Sequence, residues 1–252
     1  MQKYCWITGA SKGIGRATAV SFVKRGYNVI ASSRTLIDLK NLQEECNSSQ
    51  YKGKIIPLQL DVTDVIKLEA SIKYIYKNYR RCDIVILNAG TYVNENSKDL
   101  SIKNTELMMD LNFNSIINAI IFLKPYFLKL KTEQVIAVSS IAGWRGMPMS
   151  AIYSASKAAL IAAMESFCLD FSKDKVRFRV ITPGFVDTPL TRKNKFKMPF
   201  LMDASLAGEK IFSFVTKSNK FELSFPFIFS LLMKVITSLP WKIYKLLITK
   251  KY

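Results

Sequence analysis

The chain has 252 residues, 49% of them hydrophobic, with no histidine and a formal net charge of +18. The apolar content argues against a disordered chain and fits one large α/β domain, whereas the lack of histidine excludes zinc sites that need histidine and the commonest general acid or base. The charge indicates attraction to polyanions such as nucleic acid or an anionic membrane surface, and 12 Lys/Arg against 3 Asp/Glu between residues 189 and 252 concentrate it at the C-terminal end.

Seven short apolar runs with strand character recur along the chain. They cover residues 4–8, 28–32, 54–60, 83–87, 134–139, 176–182 and 221–225. Helical periodicity lies between the first six runs, for example over 14–25, 64–78, 102–131 and 150–172. This alternation predicts an α/β fold, a single Rossmann-like doubly wound parallel sheet of seven strands with helices on both faces and right-handed crossovers.

The N-terminal residues run directly into the first predicted strand, so no signal peptide is expected. Four cysteines, at positions 5, 46, 82 and 168, are far apart in sequence and form no C-x-x-C motif. They are typical of packed, reduced thiols in a cytoplasmic protein. No metal site is expected from these residues.

A glycine-rich turn follows the first predicted strand. It reads Thr8-Gly9-Ala10-Ser11-Lys12-Gly13-Ile14-Gly15 and leads into a helix. Glycines there permit a tight turn and a close approach to a pyrophosphate, whose charge is met by the free N–H groups of the helix N-terminus. With a strand before it and a helix after it, the turn predicts a dinucleotide site; the alternative is an ordinary glycine turn.

The end of the second predicted strand bears on which dinucleotide binds. An acidic residue there would hydrogen-bond the ribose 2′-hydroxyl of NAD, but the sequence reads Ser-Ser-Arg-Thr over 32–35. Arg34 and Lys12 are cations suited to a 2′-phosphate, so NADP(H) is predicted to be preferred over NAD(H). The alternative is that Arg34 is only a surface cation.

Tyr153 and Lys157 are four residues apart on a predicted helix, and Ser140 ends the fifth predicted strand. The i, i+4 spacing sets both helix side chains on one face, where a cationic lysine is expected to lower the tyrosine pKa from about 10. The phenol then becomes a usable proton donor without any histidine. Alone, the pair favours a solvated helix surface, because chance produces about one such spacing in a chain of this composition.

Together these motifs resemble the short-chain dehydrogenases/reductases over about residues 3 to 190. The resemblance rests on Thr8-Gly-x-x-x-Gly-x-Gly15, Asn88-Ala89-Gly90, Asn112, Ser140, Tyr153-x-x-x-Lys157 and Pro183-Gly184. Each motif is short, but they fall in order, at the predicted strand ends or on the expected helix. The resemblance implies hydride transfer between a nicotinamide and a carbonyl or hydroxyl carbon.

The resemblance also implies the catalytic roles. Tyr153 would be the acid/base, Lys157 would bind the nicotinamide ribose and lower the tyrosine pKa, and Ser140 would steady the substrate oxygen. Asn112 would help hold a water that links Lys157 to solvent, unless it is an ordinary buried helix amide.

Further cofactor contacts follow from the same resemblance. Asp61 and Val62 would meet the adenine, although Asp61 is also placed to cap the next helix. The turn 88–90 would lie beneath the cofactor, and the loop 183–189 would lie on its nicotinamide side, with Thr188 at the carboxamide or pyrophosphate. The expected cofactor-binding residues are Gly9, Ser11, Lys12, Gly13, Ile14, Gly15, Arg34, Asp61, Val62, Asn88, Ala89, Gly90, Tyr153, Lys157, Pro183, Gly184, Val186 and Thr188.

The C-terminal end departs from the family pattern. Over 227–239 the polar residues Ser230, Lys234, Thr237 and Ser238 form one narrow stripe on an otherwise apolar helix. After Pro240, the residues Trp241, Tyr244, Leu247 and Ile248 are predicted to face away from Lys242, Lys245 and Thr249, as in a basic amphipathic helix. We therefore divide the chain into an NADP-binding Rossmann-fold catalytic domain, 1–225, and an amphipathic helical extension, 226–252, in the same domain or peripheral to it.

Three interpretations of the extension remain. It packs over the substrate pocket or a subunit interface, it attaches peripherally to the inner membrane surface, or it binds nucleic acid. The last is not expected because no recognition module is evident. Lys234 and Pro240 interrupt the apolar run, which argues against a transmembrane span here.

Several large apolar side chains after the nicotinamide-side loop suggest a flexible, apolar substrate pocket, or simply core. They are Phe185, Leu190, Phe196, Met198, Phe200, Leu201 and Met202. Helices 102–131 and 150–172 resemble those through which the family dimerises, so a homodimer or homotetramer is expected. The leading interpretation is an NADP(H)-dependent carbonyl reductase or alcohol dehydrogenase acting on a lipophilic small molecule. The alternative is a catalytically silent dinucleotide sensor or membrane-associated scaffold.

Overall fold

Seven strands form one parallel sheet in a computed structural model that describes residues 2–79, 81–129, 132–193 and 198–249. The strands are β1 (Tyr4–Thr8), β2 (Asn28–Ser33), β3 (Ile55–Gln59), β4 (Ile84–Leu87), β5 (Gln134–Val138), β6 (Arg177–Pro183) and β7 (Glu222–Phe225). All seven predicted strands are confirmed. Their predicted and observed ends differ by about one residue or less, because runs of β-branched residues bounded by turns are a local signal.

The strand order is β3-β2-β1-β4-β5-β6-β7, and every pairing is parallel. Trp6 of β1 pairs with Ile30 on one side and Val85 on the other, so β1 lies at the point where the strand order reverses. In sheets of this kind the crevice outside the carboxyl ends of the strands at the reversal point is the usual ligand site.

Helices cover both faces of the sheet, as predicted. They are α1 (Gly13–Lys24), α2 (Leu36–Ser48), α3 (Val65–Tyr79), α4 (Ile102–Met109), α5 (Ser115–Phe127), α6 (Ala151–Asp170), α7 (Ala204–Lys217), α8 (Phe227–Ser238) and α9 (Trp241–Thr249). One apolar core joins α1, α2 and α7 to the sheet, and a second joins α3, α5 and α6 to its other face. Because both faces are covered, the strands read as continuous apolar runs.

The single helix predicted over 102–131 is divided in the structure. A π turn, Asp110–Asn114, separates α4 from α5, and α5 ends at Phe127; residues 130 and 131 lie outside the described residues. Hydrophobic periodicity does not register such a turn, because it inserts one residue without ending the helix. The π turn places Asn112 in the interior.

Two described helical stretches, Ile102–Phe127 and Ala151–Asp170, are long and apolar enough to cross a membrane by length and composition alone. The core helices of soluble proteins meet the same criterion, and here both stretches pack on the sheet. Ile116 and Leu123 of the first and Leu160 and Met164 of the second are buried in the second core.

Candidate active site

A cleft of about 440 Å³ opens at the carboxyl edge of the sheet, around the reversal point. Of the residues expected at the site, those that line the cleft are Gly9, Ser11, Lys12, Gly13, Ile14, Arg34, Asp61, Val62, Asn88, Ala89, Gly90, Ser140, Tyr153, Lys157, Pro183, Gly184, Val186 and Thr188. Gly15 and Asn112 lie behind its wall. Residues scattered over the chain therefore meet because the carboxyl ends of parallel strands share one edge.

The glycine turn has the close packing that its sequence predicts. Gly9 and Gly13 have φ angles of 65° and 55°, a region that other residues adopt only with strain. A Cβ atom at Gly15 would lie 2.3 Å from the Gly9 carbonyl oxygen, so a side chain there would displace the turn. Helix α1 begins at Gly13 with no side-chain cap and no acidic residue in its first turn. Its N-terminal N–H groups are therefore suited to an anion.

Asn88, which follows β4, stabilises the glycine turn through hydrogen bonds. Its side-chain nitrogen donates to the carbonyl oxygens of Thr8 at 3.0 Å and Gly9 at 3.1 Å. The backbone N–H groups of Asn88 and Ala89 both donate to the Thr8 hydroxyl. The motif at 88–90 thus holds β1 and β4 together where the order reverses.

The far end of the cleft contains both expected cations and one carboxylate that the sequence analysis missed. Arg34 is exposed, and no carboxylate pairs with it among the described residues. Lys12 forms an ion pair with Asp38, with Lys12 Nζ 3.2 Å from Asp38 Oδ2. Asp38 lies in the first turn of α2, beyond the strand end where an acid was sought. Arg34 is consequently the unpaired cation of the two.

Asp61 lines the cleft and closes the turn after β3. Its Oδ1 atom accepts hydrogen bonds from the Thr63 N–H at 3.0 Å and the Thr63 hydroxyl at 2.7 Å. The carboxylate at the N-terminus of α3 is Asp64, which accepts from the Lys67 N–H at 3.0 Å. The residue that caps α3 is therefore Asp64 and not Asp61, the alternative raised by the sequence, while Asp61 orders the cleft wall.

Tyr153 and Ser140 lie at the inner end of the cleft. Burial raises the pKa of Tyr153, and a hydrogen-bonding interaction with Ser140 opposes this rise. The ring of Tyr92 packs edge-on against Tyr153, with centroids 5.1 Å apart. The pKa shift is opposite in direction to the one expected from the sequence, because desolvation of the phenolate is the largest effect at this partly buried position.

Lys157 is 4% exposed, and burial lowers its pKa to about 8. Its ammonium donates to the Val138 carbonyl at 2.9 Å and lies 5.9 Å from the centroid of the Tyr153 ring. The Ser139 hydroxyl donates to the backbone carbonyl of Lys157 at 2.9 Å. The end of β5 thus holds both the main chain and the ammonium of this lysine in place.

Asn112 is fully buried, and its amide is held by hydrogen bonds. Its Oδ1 accepts from the Thr91 N–H at 2.7 Å, and its Nδ2 donates to the Thr91 carbonyl at 3.0 Å and to Ser156 Oγ at 3.1 Å. A Cβ atom at Gly90 would lie 3.1 Å from Asn112 Oδ1 and 3.4 Å from Lys157 Nζ. Asn112 and Lys157 therefore flank the same glycine.

The loop after β6 forms the opposite wall. Thr188 is buried against the glycine turn, since a Cβ atom at Gly13 would lie 3.0 Å from its methyl carbon. The Gly184 N–H donates to the Phe225 carbonyl at 2.7 Å, and the Asp187 N–H donates to the Met202 carbonyl at 2.8 Å. Both hydrogen bonds connect this loop to the C-terminal part of the chain.

The apolar residues suggested for the substrate pocket lie in different parts of the structure. Phe185 and Phe200 stack on Phe229 of α8, with centroids 5.6 and 5.8 Å away, and Leu190 lines the cleft. Met202 belongs instead to the core, and Phe196 lies outside the described residues. Phe229 was not singled out from the sequence, because its side chain reaches Gly184 only through the packing of α8.

The sequence analysis missed further residues of the cleft. They are Ser33, Thr35, Asp38, Leu60, Thr91, Leu111, Val138, Ser139, Thr191 and Lys193. Most of them are neighbours of predicted residues at strand ends, and this adjacency is the signal that would have found them. Tyr92, which contacts Tyr153, follows the Asn-Ala-Gly turn by two residues.

Comparison with known proteins identifies the family of this chain. The family model for short chain dehydrogenases matches residues 3–198. An uncharacterized oxidoreductase of Myxococcus xanthus is 34% identical over 220 residues, which are 87% of this chain and 86% of that protein. The 3-oxoacyl-acyl-carrier-protein reductase FabG of Thermotoga maritima is 30% identical over 191 residues, 76% of this chain and 77% of that protein.

Solved structures share the fold at lower identity. An alcohol dehydrogenase from Thermococcus sibiricus, complexed with 5-hydroxy-NADP, has a TM-score of 0.80 and 22% identity over 89% of this chain and 96% of that chain. A short chain dehydrogenase/reductase from Burkholderia phymatum, in complex with NAD, has a TM-score of 0.82 and 17% identity over 92% of both chains. The chain belongs to the short-chain dehydrogenase/reductase family and is an oxidoreductase of that family.

Proposed function

We propose that this protein is an NADP(H)-dependent oxidoreductase that transfers a hydride between the nicotinamide and a carbonyl or secondary alcohol. The observation that carries the proposal is the grouping of Ser140, Tyr153 and Lys157 at the inner end of a cleft whose outer end carries the glycine turn and Arg34. One end offers proton chemistry, and the other offers phosphate binding.

The residues of the cleft fit a dinucleotide. The space at Gly15 is closed to any side chain, the N-terminus of α1 has no cap, and Arg34 has no carboxylate partner among the described residues. The turn and helix N-terminus would hold the pyrophosphate, and Arg34 would hold a 2′-phosphate. When bound, the nicotinamide supplies or accepts the hydride.

Tyr153 would donate its proton to the carbonyl oxygen during reduction. Its raised pKa keeps the phenol protonated at neutral pH, which suits an acid that acts in the reducing direction. Ser140 would hold the same oxygen by a hydrogen bond. Lys157, in its charged form, would stabilise the phenolate that remains, and Asn112 would support the return of a proton toward it.

A lipophilic carbonyl compound is the proposed substrate class. Beside Gly184 of the cleft, Phe185, Phe200 and Phe229 form an aromatic cluster, which supports an apolar ligand at this end. The names of FabG and of the alcohol dehydrogenase describe carbonyl and alcohol chemistry in those proteins.

We also propose a homodimer or homotetramer through α4, α5 and α6, where Leu107, Ile121 and Leu169 are exposed. The four cysteines are free thiols, and three of them are buried, which fits the reducing cytoplasm.

The function is tested by oxidation of NADPH in the presence of a panel of aldehydes and ketones of increasing chain length. Tyr153→Phe is expected to retain cofactor binding in calorimetry but to lose about 10²- to 10⁴-fold in kcat, because only the proton donor is removed. Tyr74→Phe, a change on the exposed face of α3, is the matched control. Near-normal turnover by Tyr153→Phe would contradict the mechanism.

A second outcome separates the enzyme from a sensor. If the wild type binds NADPH but oxidises it with no member of the panel, the catalytically silent dinucleotide-binding protein becomes the better interpretation. Cofactor preference is tested separately with Arg34→Gln, which is expected to raise the KM for NADPH about tenfold and leave that for NADH unchanged. An equal effect on both would leave hydride transfer standing and refute the 2′-phosphate site.

A further inference from the structure

Helix α8 is oriented with its apolar side outward. Its buried positions are Phe229, Ser230 and Met233, so the polar stripe predicted from the sequence lies partly against the protein. The apolar side chains on the outer surface are Phe227, Ile228, Leu231, Leu232 and Val235, and each is about half exposed or more. Phe227 and Ile228 are 74% and 66% exposed. We call these five residues the outer face of α8.

Helix α9 continues this surface and adds positive charge. Only Tyr244 is buried in it, while Trp241 is 63% exposed and Leu246 is also exposed. Lys242 and Lys245 are exposed beside them. No Asp or Glu occurs between residues 227 and 249, so the surface is apolar and basic throughout.

Hydrogen bonds and a ring contact attach both helices to the loop between β5 and α6. Arg145 donates to the carbonyls of Thr237 at 2.8 Å and Leu239 at 2.5 Å, and its guanidinium lies 4.2 Å from the ring centroid of Tyr244. The Tyr244 hydroxyl donates to the Gly146 carbonyl at 2.6 Å. These contacts hold both helices in one orientation on the protein.

Lys234 connects α8 to the edge strand β7. Its ammonium is 2.7 Å from the Glu222 carboxylate and 5.1 Å from the ring centroid of Trp144. Glu222 also accepts from the Thr182 hydroxyl at 2.7 Å and the Trp144 ring N–H at 3.1 Å. This network attaches α8 to the sheet edge, while the outer face of the helix remains exposed.

We propose that α8 and α9 dock on the surface of an anionic lipid bilayer, with both helices lying in the plane of the interface. The charge argues for this occupant over a second copy of the chain. A two-fold interface through this surface would bring Lys242 and Lys245 toward their own copies with no acidic residue to oppose them, whereas anionic headgroups are complementary to them.

The length of the helices agrees with docking at the surface. Helix α8 has 12 residues and is about 18 Å long, well short of a hydrocarbon core of about 30 Å. Trp241 and the lysines lie at the edge of the apolar surface, where amphipathic side chains reach the headgroup region while their apolar parts are buried.

The test is flotation of the full-length protein with vesicles of phosphatidylcholine containing phosphatidylglycerol, and with vesicles of phosphatidylcholine alone. We expect binding to the anionic vesicles that weakens as salt is added. Phe227→Gln/Ile228→Gln should weaken it about tenfold or more, because two exposed apolar side chains no longer enter the bilayer. Lys242→Gln/Lys245→Gln should reduce the preference for anionic vesicles.

The matched control is Val65→Gln/Ile66→Gln, an adjacent pair of exposed apolar residues, 45% and 81% exposed, at the start of α3. It should bind as the wild type does, and circular dichroism verifies that each variant is folded. Failure of the wild type to bind anionic vesicles, or equal weakening by the control pair, would overturn the proposal. So would a loss of oligomer by Phe227→Gln/Ile228→Gln in lipid-free sedimentation velocity, since a second copy would then be the occupant.

Discussion

Replacing Lys157 with Met should stabilise the nucleotide-free protein at neutral pH, with a gain that disappears in alkali. The ammonium is buried at the end of β5, and its pKa falls from an ordinary value of 10.5 to about 8. Below pH 8 the lysine is charged in both the folded and the unfolded chain, so the folded state bears the full free energy of burying that charge. Met has a similar length but no charge, so its burial carries no such free-energy cost.

The magnitude follows from the difference between the two pKa values. A change from 10.5 to about 8 corresponds to about 3 kcal/mol of folding free energy at pH 7. Between pH 8 and 10.5 the folded lysine loses its proton first, so the wild type gains stability relative to the variant as pH rises. About 1 kcal/mol of the difference should remain at pH 10. Loss of the hydrogen bond to the Val138 carbonyl changes the unfolding free energy of the variant but does not remove the pH dependence of its difference from the wild type.

The assay is urea unfolding of both proteins at a series of pH values from 7 to 10, without nucleotide. Lys40→Met, a change at an exposed position of α2, is the control and should show no such slope. The reasoning would be refuted by a difference in unfolding free energy between wild type and Lys157→Met that is independent of pH. A difference that grows with pH would refute it equally.

Three further predictions concern the cofactor end of the cleft. Gly15→Ala should abolish NADPH binding in calorimetry, since its Cβ would lie 2.3 Å from the Gly9 carbonyl oxygen, whereas Gly146→Ala, with no atom within 4 Å of the added Cβ, should bind normally. Asn88→Ala should lower the free energy of unfolding by about 1–3 kcal/mol in urea titrations, because two carbonyl oxygens lose their donor; an unchanged midpoint would contradict this. Asp38→Asn should lower the Kd for NADPH severalfold and leave that for NADH unchanged, since it frees the Lys12 ammonium; identical changes for both nucleotides would count against it.

Much of the site could be predicted from the sequence because its signals are local. The glycines of the turn mark backbone positions with positive φ angles. Asn88 comes directly after β4, and Ser140 comes two residues after the end of β5. Once the strands are parallel, their carboxyl ends meet at one edge, so residues far apart in sequence meet without further information. Asp38 was missed because its contact with Lys12 depends on how α2 packs beside α1.

The sequence by itself determined the seven strands, the parallel doubly wound sheet and the order of the site motifs, since β-branched runs and glycine turns act within a few residues of chain. Only the tertiary structure decided the direction of the Tyr153 pKa shift, the π turn that buries Asn112 and the outward orientation of the apolar side of α8. Each of these depends on burial and on partners distant in sequence: the phenol is desolvated by surrounding elements, and α8 packs on the protein through Phe229 and Met233. A helix pattern specifies that two faces differ, and the packing of the whole chain determines which of them meets the solvent.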